Sequence, residues 1–137
     1  MKKYLNIAMG YAIAAMAGGV FYREFTKWNQ FTGVTMLSKV HAHLFMLGMM
    51  VFLLVALFSR QMDLEKENSF RWFMRLYNIG LPLTVAMMLV RGILQVKAVP
   101  LSAGADAAIS GIAGIGHIVL SIGLIMLLVT LKRDAED

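Results

Sequence analysis

Four long apolar stretches, separated by segments that hold every charged residue except Arg91, dominate this sequence of 137 residues. A helix needs about 20 mainly apolar residues to cross the hydrocarbon core of a bilayer. Stretches of about this length lie at residues 5–22, 40–59, 76–96 and 107–131. Hydrophobic residues make up 59% of the chain and charged residues 15%, so a soluble fold would lack the polar side chains to cover its core. The sequence predicts an all-α integral membrane protein with four transmembrane helices.

Short connections between the stretches favour a single domain, residues 1–137, folded as an antiparallel four-helix bundle. The first stretch also resembles a secretory signal, because two lysines precede it and Ala15-Met16-Ala17 fits a cleavage site. The apolar residues continue past that site to Tyr22, which favours a transmembrane helix instead.

Lysine and arginine residues are distributed unequally between the two ends of such a bundle. An antiparallel arrangement places eight basic residues at the end that carries both termini, namely Lys2, Lys3, Arg60, Lys66, Arg71, Arg75, Lys132 and Arg133. It places five at the other end, namely Arg23, Lys27, Lys39, Arg91 and Lys97. Cytoplasmic loops carry the excess of basic residues. We therefore expect both termini in the cytoplasm and the protein in a bacterial inner membrane.

Local signals refine the connections. Asn68 or Ser69 is expected to cap the third helix, and Trp28 is expected at the level of the lipid headgroups. Pro82 lies inside the third stretch, where membrane helices tolerate proline.

The absence of cysteine excludes disulfide bonds and thiolate metal sites. The net charge of +5 is explained by basic residues at the helix ends. No basic stripe with interleaved aromatic residues lies on a soluble element, so the sequence gives no indication of nucleic-acid binding.

All three histidines, His41, His43 and His117, fall within the apolar stretches. Ionisable residues at membrane depth are costly and usually functional. A rise of about 1.5 Å per residue allows the three rings to share one depth in the half of the bundle away from the termini. Residues two apart on an α-helix lie about 200° apart, so His41 and His43 are expected to serve different partners.

The segment Val40-His41-Ala42-His43-Leu44-Phe45-Met46-Leu47-Gly48 (VHAHLFMLG) resembles the haem-ligating helix of haem–copper oxidases and nitric-oxide reductases. In that superfamily a His-x-His pair on one helix ligates two haems, one on each face. The rest of the oxidase pattern, including twelve helices and copper-binding histidines, is missing. The whole chain also resembles a small uncharacterised family of bacterial membrane proteins.

These features predict a b-type haem held without covalent attachment, with His117 as one axial ligand and His43 or His41 as the other. Arg91 is the first candidate to bind the haem propionates. Ser121 shares a helical face with Ser110 and His117, and this face is expected to point into the bundle. A serine hydroxyl or a backbone carbonyl would then fix the imidazole tautomer. Glycines beside His117 would leave room for the macrocycle, or serve helix packing.

Other functions remain open at this stage. His41, His43 and His117 could instead act as metal ligands or proton carriers, in a small bundle that moves a metal ion or protons across the membrane. The twelve methionines suggest copper, although methionine also fills apolar cores. The chain also suits a structural or assembly subunit. Lipid, haem, a second copy of the chain and a redox partner are the expected partners, and enzymatic activity is left open.

Overall fold

A computed structural model describes residues 1–134, and this part of the chain forms four long helices and no strand. Helix α1 covers Lys2–Trp28, α2 covers Leu37–Phe58, α3 covers Asn68–Val96 and α4 covers Ala103–Asp134. A 3-10 turn, Leu64–Lys66, lies between α2 and α3. Each of the four helices is long and apolar enough to cross a membrane, which confirms the prediction of four candidate spans.

Polar and charged flanks extend most of the helices beyond their apolar stretches. Helix α3 begins at Asn68 rather than near residue 76, and α1 continues to Trp28. The prediction that Asn68 or Ser69 caps α3 is wrong, because Glu67 is the N-cap and makes no side-chain capping bond. The Ser69 hydroxyl instead lies 2.7 Å from that of Thr130 on α4, where a buried hydroxyl pair joins the two helices.

The contacts show that sequential helices run antiparallel. Helix α1 contacts α2 at Gly19 with His41 and at Tyr11 with Phe52. Helix α2 contacts α3 at Leu37 with Gly92 and at Leu47 with Tyr77. Helix α3 contacts α4 at Arg91 with Asp106 and at Ser69 with Thr130. Ion pairs of Lys3 with Glu65 and of Arg133 with Glu67 place the start of α1 and the end of α4 beside the α2–α3 connection. This end of the molecule is called the terminal end below.

Helix α3 lies at the centre of the fold. Phe70, Phe73 and Tyr77 on α3 are at most 2% exposed, and Phe52 of α2 is fully buried among them. Tyr4 and Tyr11 of α1 extend this aromatic cluster. Aromatic contacts of this kind stabilise a core beyond the area that they bury.

Helix α2 changes its winding halfway along. It is α-helical over Leu37–His43, π-helical over Leu44–Met50 and α-helical again over Val51–Phe58. The Tyr77 hydroxyl donates a 2.8 Å hydrogen bond to the carbonyl oxygen of Leu47 within the π-helical segment. Gly48 is required there, because a Cβ would lie 2.5 Å from Cγ of Tyr11. Segments of π-helix occur frequently at functional sites.

Helix α4 packs against α3 through glycines. A Cβ at Gly80 of α3 would lie 2.5 Å from the backbone nitrogen of Leu120, and one at Gly123 of α4 would lie 2.9 Å from that of Tyr77. Small residues allow such close approach of helix backbones, which replaces hydrophobic burial as the driving force in lipid.

We predict that Gly80→Ala lowers the thermal stability of the purified protein, because backbone atoms of Leu120 cannot yield to the added methyl group. The expected loss is about 1–3 kcal/mol, which is typical of overpacking. Thermal unfolding in detergent measures it. Gly111→Ala is the matched control, since nothing lies within 4 Å of a Cβ at Gly111. Equal melting temperatures for the two variants would show that α3 and α4 do not pack this closely.

Candidate functional site

The rings of His43 and His117 are held in the same way. Nδ1 of His43 lies 3.0 Å from the carbonyl oxygen of Lys39, and Nδ1 of His117 lies 2.8 Å from that of Ala113. A carbonyl oxygen only accepts hydrogen bonds, so Nδ1 carries the proton in both neutral rings. The lone pair is then on Nε2, which is free to bind a metal. Of the two anchors predicted for the imidazole, the backbone carbonyl is the one that the structure contains.

These two histidines lie at the same level of the bundle. On α2, His43 lies between Leu37, which contacts Gly92, and Leu47, which contacts Tyr77. Thr84 of α3 lies between Tyr77 and Gly92 in the same way, and it contacts Gly116, the neighbour of His117. The register along α3 therefore gives His43 and His117 a common depth.

His41 has a different environment. Its Cβ and Cγ lie 3.7 and 3.8 Å from the position of a Cβ on Gly19, so the base of this side chain packs against α1. Since Leu37–His43 is regular α-helix, His41 and His43 lie about 200° apart around it, as predicted. The Nδ1 atom of His41 is buried and has no hydrogen-bond partner among the described residues. The two histidines of α2 thus face different surroundings.

The prediction that Ser110, His117 and Ser121 mark the inward face of the fourth helix is wrong for the single chain. All three residues are exposed, whereas Gly116, Leu120 and Gly123 are buried against α3. The polar residues were taken as the sign of the inward face, but close packing in a membrane favours glycine over serine and histidine at this contact. His117 therefore lies on a surface of α4 that α3 does not cover.

Small residues surround His117 on this surface. Gly114, one turn before His117, has no atom within 4 Å of the position of a Cβ. Of the two predicted roles of glycine, helix packing applies to Gly116 and Gly123, while Gly114 leaves open space beside the imidazole. No hydrogen bond joins Ser121 to His117, and the binding role predicted for Ser121 stays a prediction.

Arg91 is already engaged with α4. Its Nη1 lies 2.6 Å from Oδ1 of Asp106, and its Nη2 donates to the hydroxyl of Ser110 at 2.7 Å. This ion pair links the ends of α3 and α4 away from the terminal end. The role predicted for Arg91 in binding propionates stays a prediction, and it would require this pair to rearrange.

Within residues 1–134, no three or more His, Asp and Glu side chains come together as a group that could hold a metal ion. A groove of about 610 Å³ lies between α1, α2 and α3, and apolar residues line most of it. None of the three histidines lines this groove. The histidine pair and the groove are therefore separate features.

Sequence reasoning expected a serine hydroxyl or a backbone carbonyl to hold an imidazole but did not identify which group does so. The carbonyl groups of Lys39 and Ala113 lie four residues before His43 and His117. This spacing is present in the sequence, but it does not show which rotamer each ring adopts. Sequence reasoning also missed the open surface beside Gly114, because this surface depends on how α4 packs.

The chain matches, over residues 1–134, the model of a protein family described as "Protein of unknown function (DUF2871)". It therefore belongs to this uncharacterised family, in agreement with the family resemblance of the sequence. No curated protein and no solved structure matches the chain. The resemblance of the VHAHLFMLG segment to haem–copper oxidases has no support from these comparisons.

We predict that His43 and His117 both adopt the Nδ1–H tautomer in the purified protein, because their carbonyl partners accept hydrogen bonds from Nδ1. Nitrogen-15 NMR of histidine-labelled protein in detergent, at a pH where the rings are neutral, measures the tautomer. Single His→Gln variants assign the signals. A dominant Nε2–H tautomer at either position would contradict the geometry.

Proposed function

We propose that this DUF2871 protein is a membrane protein that binds haem b, with Nε2 of His43 and Nε2 of His117 as the two axial ligands. The observation that carries the proposal is the shared anchoring of the two rings by Nδ1. A metal-binding histidine typically donates its other ring nitrogen to a carbonyl or carboxylate, which fixes the tautomer and orients the ring. Both rings have this arrangement.

The positions of the two helices also support a shared cofactor. Helix α4 packs on α3 through Gly80 and Thr84, whereas α1 approaches α3 at Asn78, which bonds to Tyr11. His43 lies about 200° around α2 from His41, which contacts α1, and His117 lies at its level on the uncovered surface of α4. A planar cofactor at this level, between the outer flanks of α2 and α4, would take one ligand from each helix.

The number of ligands favours haem over a bare metal ion. A structural zinc site usually takes four protein ligands and a catalytic one three. A haem b needs only one or two axial side chains, since the porphyrin supplies the other four nitrogen ligands. Two imidazoles without a third acidic or histidine ligand therefore suit haem, and residues 1–134 contain no larger group.

The cost of an exposed imidazole in lipid gives independent support. His117 is exposed on a helix that is apolar enough to cross a membrane. Polar groups at membrane depth rarely face lipid and normally face a partner. A haem against Gly114 would cover His117, and the exposed Lys39, one turn from His43 towards the helix end, has the charge to bind a propionate.

Bis-imidazole ligation would leave no open position on the iron, so the function that fits best is one-electron transfer between membrane partners. When bound, haem supplies the reversible ferric–ferrous couple, and the protein supplies ligands, orientation and an apolar surrounding. The excess of basic residues at the terminal end supports termini in the cytoplasm, in a bacterial inner membrane. A redox partner and a second copy of the chain are compatible with this role.

A bundle that passes protons or a metal ion between histidines is the second candidate. Its specific support is His41, whose buried Nδ1 has no partner among the described residues. A relay through His41 does not need haem, and it makes His41 the essential histidine. The two candidates therefore predict opposite results for His41 and His117.

We predict that haemin titrated into the purified protein in detergent gives a six-coordinate low-spin spectrum that shifts on reduction. His43→Ala and His117→Ala should weaken binding by at least the roughly tenfold loss that follows removal of even an outer-shell partner, and should abolish the low-spin spectrum. His41→Ala is the matched control and should bind as the wild type does. Unchanged binding in the His117 variant would exclude the proposed site, and a colourless protein that needs His41 for transport would support the second candidate.

A second prediction concerns the space beside His117. Gly114→Phe should weaken haemin binding because its ring would fill the open surface one turn from the imidazole. Gly111→Phe, on the same helix and also free of neighbours, lies about 120° around the helix from His117 and should have little effect. Equal haemin affinities, measured by absorbance titration, would show that the cofactor does not lie against this surface.

A further inference from the structure

Helices α1 and α3 lie side by side, and the groove between them is called the seam below. At the terminal end, the seam contains a pocket of about 270 Å³. Three cationic residues line it: Lys3 from α1, and Arg71 and Arg75 from α3. Phe70 and Met74 form its apolar part. The pocket thus combines positive charge with apolar side chains.

One carboxylate, Glu65, faces these three cations. A hydrogen bond from Tyr4 and the charge of Lys3 lower the pKa of Glu65, so it is ionised at neutral pH. Arg71 donates to neutral acceptors, the carbonyl of Glu65 at 3.2 Å and the amide oxygen of Asn68 at 3.4 Å. Neither arginine forms an ion pair with a carboxylate in residues 1–134. The pocket keeps a net positive charge.

The seam continues from this pocket towards the other end of the molecule. A second cavity, of about 310 Å³, is lined by Ile7, Gly10, Tyr11, Ala14 and Asn78. Tyr11 and Ala14 also line the groove of about 610 Å³, which reaches Phe21. From Lys3 to Phe21 this path measures about 27 Å at 1.5 Å per residue, close to the thickness of a hydrocarbon core.

Gly10 leaves open space in this second cavity, because nothing lies within 4 Å of the position of a Cβ on Gly10. Ile7 and Asn78 of this cavity each lie one turn along their helices from Lys3 and Met74 of the cationic pocket. Trp72 is 53% exposed beside this pocket, and the guanidinium of Arg75 lies 5.7 Å from its ring centre. Exposed tryptophan and basic residues together are typical of the headgroup region.

We propose that this seam binds one anionic phospholipid, with its phosphate between Lys3, Arg71 and Arg75 and one acyl chain along Gly10 and Ala14. Basic pockets between transmembrane helices bind the headgroups of anionic lipids. The apolar cavity directly beyond the cations distinguishes a lipid from a free anion. The site does not involve the histidines, so it is independent of the proposed haem function.

The test compares thermal stabilisation and native mass spectra of the delipidated protein with phosphatidylglycerol and with phosphatidylcholine of the same acyl chains. Phosphatidylglycerol should bind more tightly. The double variant Arg71→Gln/Arg75→Gln should lower the affinity for phosphatidylglycerol about tenfold or more. Each basic residue near a membrane surface contributes about 1 kcal/mol, which is about fivefold in affinity. Arg60→Gln/Lys27→Gln removes the same charge from exposed positions outside the pocket and should leave the affinity unchanged.

Gly10→Leu tests the acyl-chain part, because its side chain would fill the cavity without changing any charge. It should weaken phosphatidylglycerol binding, whereas Gly111→Leu should not. Equal binding of the two lipids, or equal loss in the two charge variants, would overturn the proposal. Full stabilisation by inorganic phosphate alone, unaffected by Gly10→Leu, would also overturn it, because the site would then take a free anion.

Discussion

The close contact of α3 with α4 through glycine determines much of the remaining structure. Gly80 and Gly123 bring the two backbones together, and this fixes which face of α4 is buried. Because the glycine face is turned inward, the face with Ser110, His117 and Ser121 is turned outward. In lipid, the fit of small residues outweighs the polarity of side chains in choosing the contact face. The exposure of His117, on which the haem proposal depends, follows from this choice.

The centre of α2 shows how one irregular segment is supported by its neighbours. Tyr77 of α3 donates to the Leu47 carbonyl of the π-helical segment, and the ring of Tyr11 packs on Gly48. Buried polar groups in a membrane protein need such partners, since lipid offers none. The segment begins directly after His43, so the ring of this histidine is positioned by the last regular turn of the helix.

The sequence predicted the four helices well because length and hydropathy constrain a membrane span strongly. It placed the three histidines within the spans, and the register along α3 gives His43 and His117 a common level. The cap at Asn68 or Ser69 was predicted wrongly: both residues lie within α3, and the Ser69 hydroxyl contacts that of Thr130. The inward face of α4 was predicted wrongly because Ser, His and Gly all suit a contact between helices, and sequence alone does not rank them.

By itself, the sequence determined the number of candidate spans, the absence of thiol chemistry and the separation of His41 and His43 around their helix. These properties depend on local composition and on the period of the α-helix. Only the tertiary structure decided that Arg91 pairs with Asp106, that His117 faces outward, and that Lys3 joins two arginines of α3 at one pocket. Each of these depends on residues far apart in the chain, whose separation is set by how closely the helices pack.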